Sequence, residues 1–301
     1  MTASRGRWTS APTPAQTRIG ARTFTWGERT FVMGILNVTP DSFSGDGRLA
    51  TGDPLQAAVA QARRMVDEGA DLLDIGGEST RPGHADVAAA EEHARVIPVI
   101  AAVRAALPRI AISVDTTKAE VAEAAIGAGA DAINDISGTG PGGAELAAVA
   151  AARRVPLIVM HNRAEPVDGD VVAAVIADLR AAVERAIGLG VATDAVIVDP
   201  GIGFGKTADQ NVAILHDLAS LRSLGRPILL GTSRKSTLGR ILDLPPDERL
   251  EATLATTALG VAAGVDIVRV HDVQANVRTA RVADAIVRGT WRAEHSQGGH
   301  R

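Results

Sequence analysis

From residue 31 onward the chain alternates short, continuous apolar runs with Ala-rich stretches of helical periodicity. A run without polar alternation is typical of a strand buried on both faces, as in a parallel sheet covered by helices. The stretches between the runs, such as DPLQAAVAQARRMVDEGA and KAEVAEAAIGAGA, place apolar residues at the spacing of one helix face. Eight apolar runs are present, at residues 31–36, 71–75, 110–114, 131–135, 156–160, 195–199, 227–231 and 266–270.

The number and spacing of the runs favour a (β/α)8 TIM barrel over a doubly wound open sheet. Successive runs begin 21 to 40 residues apart, which leaves room for one helix and its loops each time. Nearly every run ends in, or precedes, side chains that bind or react, namely Asn37, Asp74, Asp115, Asn134, Asp135, His161, Asp199, residues 233–235 and residues 269–272. A barrel collects its C-terminal strand ends at one mouth, whereas an open sheet spreads them along an edge.

The barrel pattern divides the chain into three segments. We predict one barrel domain over residues 29–289, a flexible N-terminal extension over residues 1–28 and a flexible tail over residues 290–301, with no core role for either end. The first thirty residues carry five arginines and a single acid, so they fit either a transit peptide or an Arg-rich frayed extension.

Composition excludes several classes of function. The chain has four Phe, three Trp and no Tyr, so aromatic platforms for nucleic-acid bases are not favoured. A net charge of -4 and a pI near 6.0 give no basic field for a phosphate backbone. The absence of cysteine excludes disulfides, thiolate metal sites and a cysteine nucleophile. No run approaches the ~20 apolar residues of a membrane span, and no secretory core is present, so we expect a cytoplasmic protein.

Acids and an amide at the strand ends predict a bound heterocycle. Asp115, Asn134 and Asp199 each end a buried strand. A carboxylate accepts two parallel hydrogen bonds from an amidine-like edge, and an amide both donates and accepts. The alternatives are that Asp115 caps the following helix and that Asp199 satisfies the backbone of the Pro-Gly turn.

Cations at other strand ends predict a neighbouring anion site for a diphosphate or a carboxylate. Arg81, Lys235, Arg269 and His271 would gather at the mouth of an otherwise acidic protein. Arg269 and His271 alternate along RVHDV, so they project from one side of the strand end. Ser236 follows Lys235 at the start of a helix, whose free N–H groups also favour an anion. Salt bridging is the alternative for each arginine.

Other motifs exclude common chemistries. The segment VDPGIGFGKT at residues 198–207 is not a phosphate loop, because Pro200 stands where the first glycine is needed, and Lys206 stands where a dinucleotide motif needs its third glycine. HExxH and G-x-S-x-G are both absent. A participating cation would be Mg2+ bound through oxygen ligands and substrate phosphates. The long loops NVTPDSFSGDGR and GGESTRPGH fit mobile lids, or ordinary barrel loops.

Seven motifs together resemble one enzyme family. MGILNVTPDSFS, DIGGESTRPG, SVDTTKAEVA, AINDISG, VDPGIGFGKT, GTSRKS and RVHDV occur in this order between about residues 31 and 288, as in the dihydropteroate synthases of folate biosynthesis. The resemblance implies a homodimer that joins 6-hydroxymethyl-7,8-dihydropterin diphosphate to p-aminobenzoate and releases diphosphate. It also implies Mg2+ as cofactor, and we expect diphosphate to depart before the amine attacks.

The resemblance assigns roles to individual residues. It implies that the pterin contacts Asp115, Asn134, Met160, Asp199, Lys235 and Arg269. It implies that the diphosphate contacts Asn37, Arg269 and His271, with Mg2+ at Asn37, and that p-aminobenzoate lies near Thr80, Arg81, Pro82, Phe204, Lys235 and Ser236. The catalytic set would be Asn37, Asp46, Lys235, Arg269 and His271. Asp46 stands one position later than the family's usual loop acid, so its part in catalysis requires a changed loop backbone.

Two competing functions share parts of this pattern. A pterin-barrel methyltransferase would also use Asp115, Asn134 and Asp199, but it has no use for a diphosphate clamp at Arg81 and Arg269. A non-catalytic pterin-binding paralogue would be free to lose polar loop residues, yet both long loops keep theirs. The clamp and the loops therefore favour the synthase.

Overall fold

The computed structural model describes residues 14–38, 53–78, 87–140, 142–289 and 291. Within these residues the strands are β1 (Gln16–Ile19), β2 (Arg22–Thr25), β3 (Phe31–Asn37), β4 (Leu72–Gly76), β5 (Ala111–Thr116), β6 (Ala132–Asp135), β7 (Leu157–Met160), β8 (Val196–Asp199), β9 (Leu229–Leu230) and β10 (Ile267–Val270). The α-helices are α1 (Pro54–Asp67), α2 (Ala89–Ala106), α3 (Ala119–Ala128), α4 (Gly143–Arg153), α5 (Val171–Gly188), α6 (Ala208–His216), α7 (Ser236–Leu242), α8 (Leu250–Ala263) and α9 (Val273–Arg288).

Strands β3 to β10 form a ring of parallel strands. Their order is β8-β7-β6-β5-β4-β3-β10-β9, and a parallel bridge between Val198 and Ile228 links β8 to the segment that leads into β9. These strands coincide with the eight apolar runs, and helices follow them on the outside. The predicted (β/α)8 barrel is therefore confirmed.

The strand residues divide between two apolar layers. The larger layer lies between the strands and the helices, for example around Val32, Leu73 and Ile112. The smaller layer fills the interior of the ring, and each strand of the ring contributes at least one residue to it: Met33, Leu72, Ala111, Ala132, Ile158, Ile197, Leu229 and Ile267, with Phe31 as a second residue from β3. Both faces of each strand are thus buried, which explains why the runs contain no polar alternation.

The hairpin of β1 and β2 closes the N-terminal end of the ring. Ile19 and Phe24 are fully buried against the interior layer, and the Phe24 and Phe31 ring centroids are 4.9 Å apart. Trp26 Nε1 donates to Thr17 Oγ1 at 2.9 Å. The expectation that residues 1–28 have no core role is therefore wrong for the residues from 14 onward. The alternation in QTRI and RTFT is short and Arg-rich, so it gives only a weak strand signal.

Sequence signals at the helix ends agree with the structure. The Asp53 carboxylate accepts from the Leu55 amide at 3.0 Å and caps α1, and Thr207 and Gln210 form a capping box at α6. Gly264 ends α8 in the left-handed conformation. Among the helices of the described ranges, none is long and apolar enough to cross a membrane. The cytoplasmic location stays a prediction.

Candidate active site

One cavity lies at the C-terminal ends of the strands. Its lining is Asp115, Asn134, Ile136, Met160, Asp199, Gly201, Ile202, Phe204, Gly231, Lys235 and Arg269. Seven of these are residues for which the sequence predicted a substrate contact, and they come from β5, β6, β7, β8, β10 and the loops after β8 and β9. The strand ends therefore converge as the barrel prediction requires, while the role of each residue stays a prediction.

Two carboxylates hold the Arg269 guanidinium. Its Nε donates to Asp74 Oδ2 at 2.6 Å, and its Nη2 donates to Asp115 Oδ2 at 2.5 Å. Asp74 is fully buried, and it also accepts from Asn134 Nδ2 at 2.9 Å and from Ser113 Oγ at 2.5 Å. The structure thus joins three predicted site residues, Arg269, Asp115 and Asn134, to Asp74, which the sequence predicted only as a polar strand end, and to Ser113, which it did not single out. The sequence signal that could have identified Asp74 and Ser113 is a polar side chain inside an otherwise apolar run.

The second oxygen of Asp115 is an unused acceptor. Oδ1 is buried and has no hydrogen-bond partner among the residues that the structure describes. Burial raises the pKa of Asp115, and the Arg269 charge opposes that rise. Helix α3 begins after Lys118 without a side-chain cap, so Asp115 does not cap it. Asp115 lines the cavity, and this oxygen is suited to accept from a ligand N–H group.

Asp199 serves both the turn and the cavity. Its Oδ1 accepts from the Gly201 amide at 2.7 Å, as the turn alternative predicts. Burial raises the pKa of Asp199, and the turn amide and the Lys235 charge oppose that rise. Because the turn amide bonds to Oδ1 only, the interpretation as a turn residue and the interpretation as a ligand acceptor are compatible.

A lysine and an aromatic ring form the other side of the cavity. Lys235 Nζ lies 4.0 Å from the Phe204 ring centroid, which is a cation–π contact. Burial, with a smaller effect of Arg269, lowers the pKa of Lys235 to about 8. Lys235 immediately precedes α7, whose first residue is Ser236. The helix start therefore directs Lys235 to the cavity.

The remaining predicted residues fall into two groups. Asn37 ends β3, Ser236 begins α7, and His271 follows β10 with its Nδ1 2.9 Å from Ser233 Oγ. These residues lie at the same end of the barrel as the cavity but outside its lining. The predicted residues Asp46, Thr80, Arg81 and Pro82 lie outside the described residues.

A parallel barrel whose strand ends bring acids, an amide and cations around one cavity is the arrangement that the sequence predicted for a pterin-binding enzyme. The family model for pterin binding enzymes matches residues 33–271. The dihydropteroate synthase of Clostridium beijerinckii is 47% identical over 272 residues, covering 90% of this chain and 99% of the relative. That of Bacillus subtilis is 50% identical over 260 residues, covering 86% and 90%.

A solved structure agrees with these sequences. The dihydropteroate synthase of Clostridium difficile, crystallised in the presence of pteroic acid, has a TM-score of 0.83 and 46% identity, covering 88% of this chain and 99% of that one. The chain belongs to the dihydropteroate synthase family and is a transferase of folate biosynthesis. The family predicted from the seven motifs is therefore confirmed.

Proposed function

We propose that this chain condenses 6-hydroxymethyl-7,8-dihydropterin diphosphate with p-aminobenzoate, releasing diphosphate and forming dihydropteroate. The observation that supports this most strongly is the placement of Arg269 between Asp74 and Asp115, beside the buried acceptors of one cavity. A partly buried arginine suits an anionic leaving group, and buried acceptors suit a ring rich in N–H groups.

The pterin ring binds between the acids and the apolar wall. Asp115 Oδ1 and Asp199 accept from ring N–H groups, and Asn134 is held in place by its bond to Asp74. Met160 and Ile202 supply apolar surface on the same cavity. Hydrogen bonds in such a buried site are stronger than in water, and an unpaired acceptor there is costly. The cavity therefore favours a ligand that satisfies every acceptor.

p-Aminobenzoate binds beside Phe204 and Lys235. The ring of Phe204 offers a flat apolar surface at the cavity rim, and the ammonium of Lys235 lies directly over it. The p-aminobenzoate ring packs on Phe204, and its carboxylate is attracted by the ammonium of Lys235. Ser236 follows Lys235 at the start of α7, and the family resemblance places it near p-aminobenzoate.

Catalysis begins with departure of diphosphate. The bond from the exocyclic methylene carbon to oxygen breaks, and diphosphate keeps the electron pair. Among the residues that the structure describes, Arg269 donates to Asp74 and Asp115 alone, which uses two of its five N–H groups and leaves the others for the departing anion. The carboxylates of Asp115 and Asp199 stabilise the delocalised pterin cation. The amine then forms the C–N bond and loses a proton to solvent.

Asn37 would hold Mg2+ together with the diphosphate. It supplies one hard oxygen donor at the end of β3, half-buried at the mouth. Groups of three or more His, Cys, Asp or Glu side chains placed to hold a metal do not occur among the described residues. One protein oxygen fits Mg2+, which commonly keeps several waters and binds through substrate phosphates. When bound, the ion would neutralise charge on the departing diphosphate.

The proposal is tested by measuring diphosphate release. We expect release only when the dihydropterin diphosphate, p-aminobenzoate and Mg2+ are all present, and loss of release in EDTA that is restored by added Mg2+. An 18O label placed between the methylene carbon and phosphorus should also move into non-bridging positions of that phosphate in the absence of p-aminobenzoate, because cleavage of the carbon–oxygen bond comes first. A methyltransferase would release no diphosphate, and a non-catalytic paralogue would bind the pterin without turnover.

We propose a homodimer formed through the outer faces of α8 and α9. Leu259 on α8 and Val282 and Ile286 on α9 are 63%, 62% and 76% exposed, and the two helices pack against each other. Val282 and Ile286 are one helical turn apart and share a face. Large exposed apolar side chains in one region mark protein interfaces.

Ile286→Glu is expected to convert the dimer into a monomer, because it buries an unpaired carboxylate in the interface. Light scattering after size exclusion measures the mass. Val212→Glu is the matched control, since Val212 is an exposed apolar residue on α6, and it should leave the mass unchanged. A dimeric Ile286→Glu protein, or a wild type that is monomeric at micromolar concentration, would contradict the proposed interface.

A further inference from the structure

The sequence contains three lysines, and the proposed reaction has used only one of them, Lys235. Lys206 lies in the segment at residues 198–207 that resembles a phosphate loop, and its ammonium contacts three backbone carbonyls. Its Nζ donates to Gly201 O at 2.8 Å, to Phe204 O at 2.9 Å and to His161 O at 3.3 Å. An ammonium has three donors. All three donors therefore bind backbone carbonyls, and none is left to bind a phosphate.

These carbonyls belong to two segments in close contact. Gly201 and Gly205 have positive φ, and a Cβ on either would lie 1.9 Å from a carbonyl oxygen, of His161 and of Arg163 respectively. The loop between β8 and α6 therefore packs backbone to backbone against the segment after β7. Lys206 is the cation between them, and burial lowers its pKa to about 7.

The same loop forms one wall of the cavity. Gly201, Ile202 and Phe204 all line it. The Phe204 carbonyl binds Lys206 while its ring contacts Lys235, so the two lysines hold the two ends of one residue. Gly201 is also tied to the strand through Asp199, whereas the Phe204 amide donates only within the loop, to Gly201 O at 3.1 Å. Loss of Lys206 should therefore displace Phe204 more than the part of the loop nearest the pterin.

We propose that Lys206 is a positioning residue for the second substrate: its ammonium fastens the β8–α6 loop to the end of β7 and so holds Phe204 where p-aminobenzoate packs. This inference deepens the proposed function and rests on its placement of p-aminobenzoate beside Phe204. It assigns a role to the lysine that makes VDPGIGFGKT look like a nucleotide motif.

The first test compares two Michaelis constants in Lys206→Met, which keeps an unbranched side chain as far as Cε and removes the ammonium. We expect KM for p-aminobenzoate to rise about tenfold or more, because a small displacement of a positioning group is costly. KM for the dihydropterin diphosphate should change less than about threefold. Both constants within twofold of wild type, or an equal rise in both, would overturn the proposal.

The second test is chemical rescue of Lys206→Ala. Propylammonium supplies the three carbons and the nitrogen that the substitution removes, so it should lower KM for p-aminobenzoate back toward the wild-type value. Tetramethylammonium at the same concentration carries the charge without N–H donors and should not. Propylammonium should leave the wild type unaffected. Equal effects of both cations, or no effect of either on a variant with native circular dichroism, would overturn the proposal.

Phe204→Ala separates this inference from the function on which it rests. If Phe204→Ala raises KM for p-aminobenzoate and Lys206→Met does not, the substrate placement holds and the role of Lys206 is wrong. If Phe204→Ala leaves that KM unchanged, the proposed placement of p-aminobenzoate fails, whatever Lys206→Met does. If both variants raise it and propylammonium rescues Lys206→Ala, both proposals are supported.

Discussion

Arg269→Ala is expected to lower kcat at least about 100-fold, because the variant loses a preorganised cation beside the departing diphosphate. The guanidinium is held by Asp74 at 2.6 Å and by Asp115 at 2.5 Å, so it is in place before the substrate binds. The measurement is kcat with both substrates saturating. Near-normal turnover in folded Arg269→Ala would refute the assigned role.

The substitution also leaves two buried carboxylates without their cation, which is expected to cost about 3 to 5 kcal/mol of unfolding free energy. The double variant Arg269→Ala with Asp74→Asn separates this structural loss from the catalytic one. Removing one negative charge should restore part of the stability without restoring kcat. Arg269→Lys keeps a charge but lacks the fork that spans two carboxylates, so its kcat should be intermediate. Recovery of kcat in the double variant would reduce Arg269 to a structural role.

The barrel could be predicted because its signal is repeated and local. Each strand of the ring is buried on both faces, so it appears in the sequence as a continuous apolar run whose polar end marks the mouth. The hairpin of β1 and β2 was not predicted from the sequence, because its strands span four residues each and include arginines beside the buried positions. The hairpin is buried through contacts of Phe24 and Trp26 with Phe31, and such contacts produce no periodic pattern in the sequence.

The site could be predicted only as far as strand ends determine it. Asp115, Asn134 and Asp199 stand at strand ends and line the cavity. Asp74 also lies in a strand, but its importance comes from Arg269, which is 195 positions away in the sequence. Lys206 presents the same difficulty, because its partners are backbone carbonyls that converge only when the neighbouring glycines adopt positive φ. Sequence gives the identity of such residues, whereas their partners follow from the fold.

Asp74→Asn is expected to lower the free energy of unfolding by about 2 to 3 kcal/mol although Asp74 is absent from the cavity lining. The amide has nearly the same shape, and the Ser113 hydroxyl can turn to accept from it. The hydrogen-bond geometry is therefore kept while one of the two charges that hold Arg269 is removed. Urea unfolding measures the free energy, and kcat should also fall because Arg269 is less firmly held.

The order of three variants decides whether charge or packing accounts for the effect of Asp74. Asp74→Ala removes the charge and every hydrogen bond, so it should cost more than Asp74→Asn, about 3 to 5 kcal/mol. Glu123→Gln breaks an ion pair with Arg153 at the surface, where water screens both charges, and should leave stability unchanged. If Asp74→Asn proves as stable as Glu123→Gln, the charge of Asp74 does not hold Arg269, and Asp115 alone must position the guanidinium for the departing diphosphate.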